Sequence, residues 1–489
     1  MFGKRKDKAG AGTHTTGQDL ELASSHEPKE ANGHQHHHPR YNHNGHKVTK
    51  GIHPDGESGR RGVHPHHFLR ISARSTSKIS MIVNVLWPFV PVAIAVRYTH
   101  PEAHEWIFAL NYIAMVPTAN LIGFAGQELA RKLPKVFGVL LETFLGGIVE
   151  IVLFMVLLRK NNDDPADEER YNNFIPVIRA AILGSILANV LLCMGFCFFA
   201  GGMRREEQEF DAAISEVGSG LLLTAGFGLM IPAAFFTSLS GSTSVDLDAD
   251  GLTDKVLTIS RVTSVILFIA FLVYVWFQMR THHSIYDAVL ERDEAKDQDR
   301  HKDLKKAKLT LTECILALVI AITFVCLHAV FLVEEIEFIV VERGVSDSFM
   351  GLILVPLVEK AAEHLTAVDE AWDNQMNFAL AHVLGATIQT ALFNGPLVVI
   401  VGWGLHKAMD LNFEIFNAVI LILAIIVAGN FLRDGKSNYL EGALCIMIYI
   451  IIAVASFNYP NPHHGAAGTS EPDPSTGNEA AGHKLRFMR

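Results

Sequence analysis

Hydrophobic runs of about 20 residues recur along most of this chain and constrain its fold more than any other feature. A run of that length crosses the hydrocarbon core of a bilayer as an α-helix, in which every backbone polar group finds a partner. The predicted fold is an all-α polytopic membrane protein with about eleven transmembrane helices. Their predicted bounds are 79–96, 106–125, 136–158, 175–200, 217–237, 259–279, 309–333, 348–368, 378–405, 413–432 and 439–457.

Two polar tails and a charged linker surround these runs. Residues 1–75 hold about half of the 24 histidines and too few apolar side chains to form a core, so we predict a disordered cytosolic tail. Its histidines (among them His34, His36, His37 and His38) form either a metal- or proton-sensing tract or part of a low-complexity tail without a defined site. The other predicted segments are the first helix with the first repeat (76–280), a charged cytosolic linker (281–308), the second repeat (309–457) and a disordered lumenal tail (458–489).

The charge of the loops predicts the orientation of the chain. Basic residues follow the second, fourth and tenth runs and precede the seventh, whereas acidic residues follow the third and fifth. Lysine and arginine favour the cytosolic side of a membrane. We therefore predict a multi-pass membrane protein with a cytosolic N-terminus and a C-terminus that faces a lumen or the outside.

Glutamate side chains lie near the middle of two hydrophobic runs. Glu150 lies in the third run, and the eighth run contains Glu359, Lys360, Glu363 and His364. Each buried charge costs roughly 2.5–3.5 kcal/mol even on the mild insertion scale, so such residues usually serve an ion pathway. A structural hydrogen-bonding role for a single buried glutamate is the alternative.

The runs also indicate an internal duplication. With the first run set aside, runs two to six and seven to eleven form two groups of five, which enter the membrane in opposite directions. Glu150 and Glu363 then occupy the second run of each half. Inverted repeats of this kind place a shared site near the middle of the membrane.

The third run of each half adds oxygen-bearing side chains near the same depth. These are Ser185 and Asn189 in one half and Thr387 and Gln389 in the other, each group following a glycine. Carboxylate, amide and hydroxyl oxygens are the ligands of hard cations, although small residues in membrane helices also serve packing. The predicted metal ligands are Glu150 and Glu363, with Glu359, Ser185, Asn189, Thr387 and Gln389 as further cation- or proton-binding residues.

Taken together, these stretches resemble the cation/proton exchangers of the CAX family, within the calcium/cation antiporter superfamily. The resemblance covers about residues 105–457 and includes Gly184 to Asn189, Ala361 to Ala367 and Gln389 to Phe393. It implies two inverted five-helix repeats and a site built by two Gly-Asn-x-x-Glu motifs, in which Gly146 and Gly147 hold the first two positions of the first motif. It also implies loading of vacuoles with Ca²⁺ at the expense of a proton gradient.

The chain departs from the family pattern at both asparagines. Gly147 replaces the first asparagine, and Glu359 and Lys360 replace the second glycine and asparagine. The Glu-Lys form is similar to a fungal and animal subgroup that includes vacuolar exchangers of Na⁺ or K⁺. Helical spacing puts Glu359 and Glu363 on one face and turns Lys360 about 100° away, which lets Lys360 point elsewhere. Lys360 and His364 are predicted to tune the site or relay protons, with interfacial packing of His364 as the alternative.

The resemblance and the buried carboxylates predict a cation/proton antiporter. It would move Ca²⁺, or Na⁺ or K⁺, from the cytosol into an acidic organelle, through alternating access at Glu150 and Glu363. A non-transporting membrane sensor or scaffold with the same fold is the alternative. The predicted partners are the cation, protons and the lipid bilayer; nucleic acid is not expected. The sequence contains no His-Glu-x-x-His, phosphate-loop or serine-nucleophile motif, so we expect neither an enzyme nor a cofactor.

Overall fold

The computed structural model describes residues 41–42, 44–45, 47–75, 77–161, 173–240, 249–297 and 300–460. Three predicted features lie outside these residues: the histidine-rich part of the N-terminal tail, the C-terminal tail beyond residue 460, and most of the acidic loops after the third and fifth runs.

Helices occupy all eleven predicted positions. We call them spans 1 to 11, and their bounds are Ser80–Thr99, His104–Ala130, Lys135–Lys160, Ile175–Gly202, Ala212–Leu239, Gly251–Thr281, Leu311–Val341, the four pieces Asp347–Phe349, Met350–Leu354, Val355–Glu359 and Ala361–Trp372, then Met376–Gly404, Ile415–Phe431 and Tyr439–Phe457. Within the described residues, nine are long and apolar enough to cross a membrane; span 8 is interrupted and span 10 has 17 residues. The all-α polytopic fold is confirmed, and the count of eleven stays a prediction.

Several spans are irregular near their middle. Span 3 ends one helix at Gly146 and begins the next at Ile148, and span 8 ends one helix at Glu359 and begins the next at Ala361. Wider π-helical turns interrupt spans 4, 8 and 9 at Ala188–Cys193, Met350–Leu354 and Thr390–Asn394. Irregular backbone at membrane depth is tolerated where protein surrounds it, and π-helical turns are frequent at functional sites.

The packing of the spans follows the predicted duplication. Span 2 packs on span 7, and span 5 packs on span 10. Span 4 packs on spans 8 and 11, while its counterpart, span 9, packs on spans 3 and 6. Exchanging spans 2–6 for spans 7–11 leaves this pattern unchanged, as expected for two repeats related by a pseudo-twofold axis.

Contacts between loops divide the molecule into two faces. On one face, Gln208–Glu209 pairs with Lys436–Ser437 as a short antiparallel sheet, and Lys135 forms an ion pair with Glu294. On the other face, Lys407 donates to the carbonyl oxygen of Asn161 at 2.5 Å. The loops that join on each face are those that the charge pattern assigns to one side. Which face is cytosolic stays a prediction.

The predicted disordered tail contains ordered structure before residue 75. Pro54–Gly56 forms a 3₁₀ turn and Pro65–Arg74 an α-helix. The ammonium group of Lys132 donates to the carbonyl oxygen of Gly56 at 2.6 Å, and the backbone N–H of His64 donates to Glu313 at 3.0 Å. Polar groups at the ends of spans 2 and 7 hold this segment, and a prediction based on apolar content misses such contacts. The folded part therefore begins within the predicted tail.

Candidate functional site

The interruptions of spans 3 and 8 place one glutamate each at the start of a helix. Gly147 is the N-cap of the second helix of span 3, and Glu150 lies in its first turn. Lys360 is the N-cap of the second helix of span 8, and Glu363 lies in its first turn. The first N–H groups of a helix lack partners and carry partial positive charge, which stabilises a carboxylate. Both glutamates therefore lie at the partially positive end of a short helix.

Lys360 lies between these glutamates. Its ammonium nitrogen is 2.8 Å from Oε2 of Glu150 and 3.4 Å from Oε2 of Glu363. The lysine side chain is 1 % exposed and that of Glu150 is fully buried. Regular helical spacing left open whether Lys360 faces the site. It does, because the helix ends at Glu359 and the 100° step does not continue across the break.

Glu150 is held by span 9, which belongs to the other repeat. Its Oε2 accepts hydrogen bonds from Oγ1 of Thr390 and Nδ2 of Asn394, each at 2.8 Å. Neither residue was predicted as part of the site. The signal that could have found them is the polar Asn394 before Gly395 and Pro396, in the middle of a hydrophobic run.

Glu359 of the second repeat makes an equivalent contact with the first repeat. Its Oε1 accepts a hydrogen bond from the hydroxyl of Ser185 in span 4. The second span of each repeat therefore binds the third span of the other repeat. The candidate site lies at the interface between the two halves.

The two glycines of span 3 leave room for neighbouring side chains. A Cβ at Gly147 would collide with the amide of Gln389 and lie 3.2 Å from Nδ2 of Asn394. A Cβ at Gly146 would lie 2.8 Å from Cδ of Glu363. Amides of span 9 thus fill the space that an asparagine at position 147 would need.

The remaining predicted residues lie nearby with different contacts. Nε2 of His364 is 3.1 Å from Oδ1 of Asn189 in span 4, so this pair links spans 8 and 4. The hydroxyl of Thr387 donates to the carbonyl oxygen of Val383 in its own helix at 2.6 Å. Its proton is therefore directed to the helix and not to the buried glutamates.

Several buried oxygens of the site have no hydrogen-bond donor. They are Oε1 of Glu150, Oε2 of Glu359, Oδ1 of Asn394 and both carboxylate oxygens of Glu363, apart from its ion pair with Lys360. Buried acceptors normally have partners, so these oxygens attract a cation or protons. Among the described residues, no three His, Cys, Asp or Glu side chains converge to hold a metal ion. The ammonium group of Lys360 lies between the carboxylates of Glu150 and Glu363.

Comparison with known proteins places this geometry in a family. The model of the sodium/calcium exchanger protein family matches residues 104–280 and 314–458, which cover most of both repeats. Vacuolar cation/proton exchanger 2 of Arabidopsis thaliana is 32 % identical over 383 residues, which are 78 % of this chain and 82 % of that protein. The vacuolar calcium ion transporter of Schizosaccharomyces pombe is 30 % identical over 78 % of this chain and 86 % of its own.

A solved structure shares the architecture. The crystal structure of the selenium-substituted Ca²⁺/H⁺ antiporter protein YfkE superimposes with a TM-score of 0.59 at 25 % identity, covering 78 % of this chain and 99 % of the other. Both repeats match the family model and the fold matches a solved member, so this chain belongs to the sodium/calcium exchanger protein family.

Proposed function

We propose that this protein is an antiporter that moves a cation from the cytosol into a vacuole in exchange for protons. The observation that carries the proposal is the group of buried, donor-free oxygens on Glu150, Glu359 and Glu363 at the interface of the two repeats. The relatives support it, since they are named vacuolar cation/proton exchangers and calcium transporters. The sensor or scaffold alternative receives no support from them.

The chemistry of exchange needs groups that hold either cargo. A carboxylate accepts a cation when it is ionised and a proton when it is neutral, so one pair of glutamates serves both in turn. When the site is open to the cytosol, Glu150 and Glu363 bind the cation. The repeats then rearrange, and lumenal protons displace it. The return carries protons to the cytosol. No cofactor takes part in this scheme.

The position of Lys360 favours a monovalent cation. Its ammonium group repels any cation that approaches Glu150 and Glu363, and the repulsion doubles for a divalent ion. Ca²⁺ also needs six to eight oxygen ligands, whereas both asparagines of the family motif are absent here. We therefore propose Na⁺ or K⁺ as the preferred cation.

Ca²⁺ is the second candidate, because the carboxylates at positions 150 and 363 are retained and two relatives are named calcium transporters. Its binding requires Lys360 to leave the space between the glutamates. Transport of Ca²⁺ at higher apparent affinity than Na⁺ and K⁺ would select this candidate.

The test is transport by the full chain in proteoliposomes. We expect Na⁺ or K⁺ to dissipate an imposed pH gradient, and Glu150→Gln and Glu363→Gln each to abolish this effect. Glu216→Gln is the matched control, because Glu216 is exposed at the start of span 5. Full transport by both buried-site variants would refute the proposed site.

A further inference from the structure

A second group of titratable side chains lies outside the central site. It joins three spans: Glu142 of span 3, Glu370 of span 8 and His382 of span 9. Nδ1 of His382 is 2.7 Å from Oε2 of Glu370, and Nε2 is 3.5 Å from Oε2 of Glu142. The histidine is 9 % exposed, and its Nε2 has no hydrogen-bond partner. We call these residues the Glu142–His382–Glu370 group.

The geometry of this group requires a proton between Glu142 and His382. With Nδ1 as the donor to Glu370, Nε2 faces a carboxylate oxygen of Glu142. If Nε2 carries a proton, a positively charged ring lies between two carboxylates; if it does not, its lone pair faces Glu142. The second arrangement is repulsive unless Glu142 itself is protonated. The pair therefore holds one proton in either arrangement and has capacity for another.

The group lies between two cavities. A cavity of about 30 Å³ is bordered by Glu359 and Glu363 of the central site and by Glu142 and His382. A cavity of about 210 Å³ is bordered by Glu142, His382 and Glu370 and extends to the loop face that we predict to be cytosolic. The smaller cavity has room for a water molecule. Glu142 and His382 are the titratable residues that border both cavities among those described.

We propose that Glu142 and His382 carry protons between Glu363 and the larger cavity, with Glu370 as a positioning residue for the imidazole. This proposal rests on the proposed function. The O–H bond of protonated Glu363 breaks, and its proton crosses water in the smaller cavity and forms an O–H bond on the Glu142 carboxylate. Glu142 then releases the proton to water in the larger cavity. Nε2 of His382, 3.5 Å from Oε2 of Glu142, is the second group that holds the proton on this path.

Other charged groups border the same path and set its electrostatic environment. Glu363 lies on the inner side. The larger cavity is bordered by both signs of charge, contributed by His53, Asp55, Arg131, Lys135, Glu294, Asp297 and Lys308. Asp293 lies close enough to Glu370 to influence it electrostatically. These charges are present in every variant below, so differences between variants report on the three exchanged residues.

The test separates proton-driven transport from cation self-exchange in proteoliposomes. Uptake of radioactive Na⁺ or Ca²⁺ against a pH gradient requires both cargoes, whereas exchange of labelled for unlabelled cation at equal pH requires the cation alone. For Glu142→Gln we expect proton-driven uptake to fall by roughly 100-fold, the usual contribution of a positioned acid or base. Self-exchange and the KM for the cation are expected to stay unchanged. His382→Gln and Glu370→Gln are expected to give smaller losses in the same direction and to shift the pH profile.

Equal loss of both modes, or loss of neither, would overturn the proposal. Failure of the wild-type protein to take up cation against a pH gradient would instead refute the proposed function. If Glu142→Gln is not recovered as folded protein, Glu142→Asp decides. It keeps a proton-binding group at an altered distance, so the proposal requires retained self-exchange with a changed pH profile, and an unchanged profile refutes it. Glu216→Gln again serves as the control.

Discussion

The two helix breaks occupy equivalent positions of the repeats, but the residues at the breaks differ in size and charge. At the break of span 3, Gly147 has no side chain, and the neutral amides of Gln389 and Asn394 fill the space beside it. At the break of span 8, Lys360 extends its own ammonium group to Glu150 and Glu363. The break in the first repeat is thus filled by neutral amides of the second repeat. The break in the second repeat contributes its own positively charged side chain.

Under the proposed role of Lys360, this difference separates the scaffold of the site from its ion selectivity. Both breaks place a glutamate in the first turn of a helix, which is the shared requirement for a charge at membrane depth. What stands at the break itself differs in size and charge without disturbing that arrangement. We therefore propose that the residue at the break sets the preferred ion of this protein. The following experiments test this conclusion.

The largest effect is expected from Glu150→Gln, which removes the main partner of Lys360. The buried ammonium group loses its 2.8 Å ion pair, and breaking a buried pair on one side costs about 3–5 kcal/mol. We expect no proton-coupled transport and a lower temperature of unfolding in detergent. The double variant Glu150→Gln, Lys360→Gln should regain stability without regaining transport. Equal stability of the single and double variants would contradict the pairing.

The next effect is expected from Lys360→Asn, which makes the second break neutral like the first. At an effective dielectric constant of about 20, unit charges ~4 Å apart interact by about 4 kcal/mol, and a divalent ion has one unit more than a monovalent ion. An effect of half that energy, about 2 kcal/mol, corresponds to a change of about 30-fold in affinity. We expect the ratio of Ca²⁺ to Na⁺ apparent affinity to rise by that factor in parallel uptake assays. Lys407→Asn, at a membrane face, is the control, and an unchanged ratio would show that Lys360 does not set selectivity.

A smaller effect is expected from Gly147→Ala, which adds a methyl group against Gln389. Overpacking of this kind typically costs about 1–3 kcal/mol. Thermal unfolding should show the loss, and Gln389→Ala in the same chain should restore part of it by making room. If the single variant is as stable as the wild type, span 9 moves enough to make room for the methyl group.

The smallest effect is expected from Thr387→Val, which removes a hydroxyl bonded within its own helix. Such a bond contributes about 0.5–1.5 kcal/mol. Transport and ion preference should remain at the wild-type level. A change in the ratio of Ca²⁺ to Na⁺ apparent affinity would show that Thr387 belongs to the cation site.

The fold was predictable because it depends on local patterns. Long apolar runs specify spans, and charged residues inside them, such as Glu150 and Glu363, mark the site without knowledge of any contact. The grouping of runs into two sets of five also follows from counting. The packing of spans 4 and 9 agrees with it.

The details of the site depend on contacts that spacing does not encode. Thr390 and Asn394 reach Glu150 across about 240 positions of sequence, and no local pattern reports such a pairing. The orientation of Lys360 stayed open, because regular helical spacing does not hold across the break after Glu359. His382 was missed since its partners, Glu142 and Glu370, lie on two other spans.

The crossed contacts between the repeats also bear on the ancestry of the chain. Suppose that the halves began as two identical copies of one five-helix protein. Equivalent positions 147 and 360 would then have carried the same residue, and two lysines would have brought two ammonium groups to one small buried space. Only a chain whose two halves can change independently can have a single lysine at the centre. On that supposition, Lys360 arose after the duplication, and so did any ion preference that it confers.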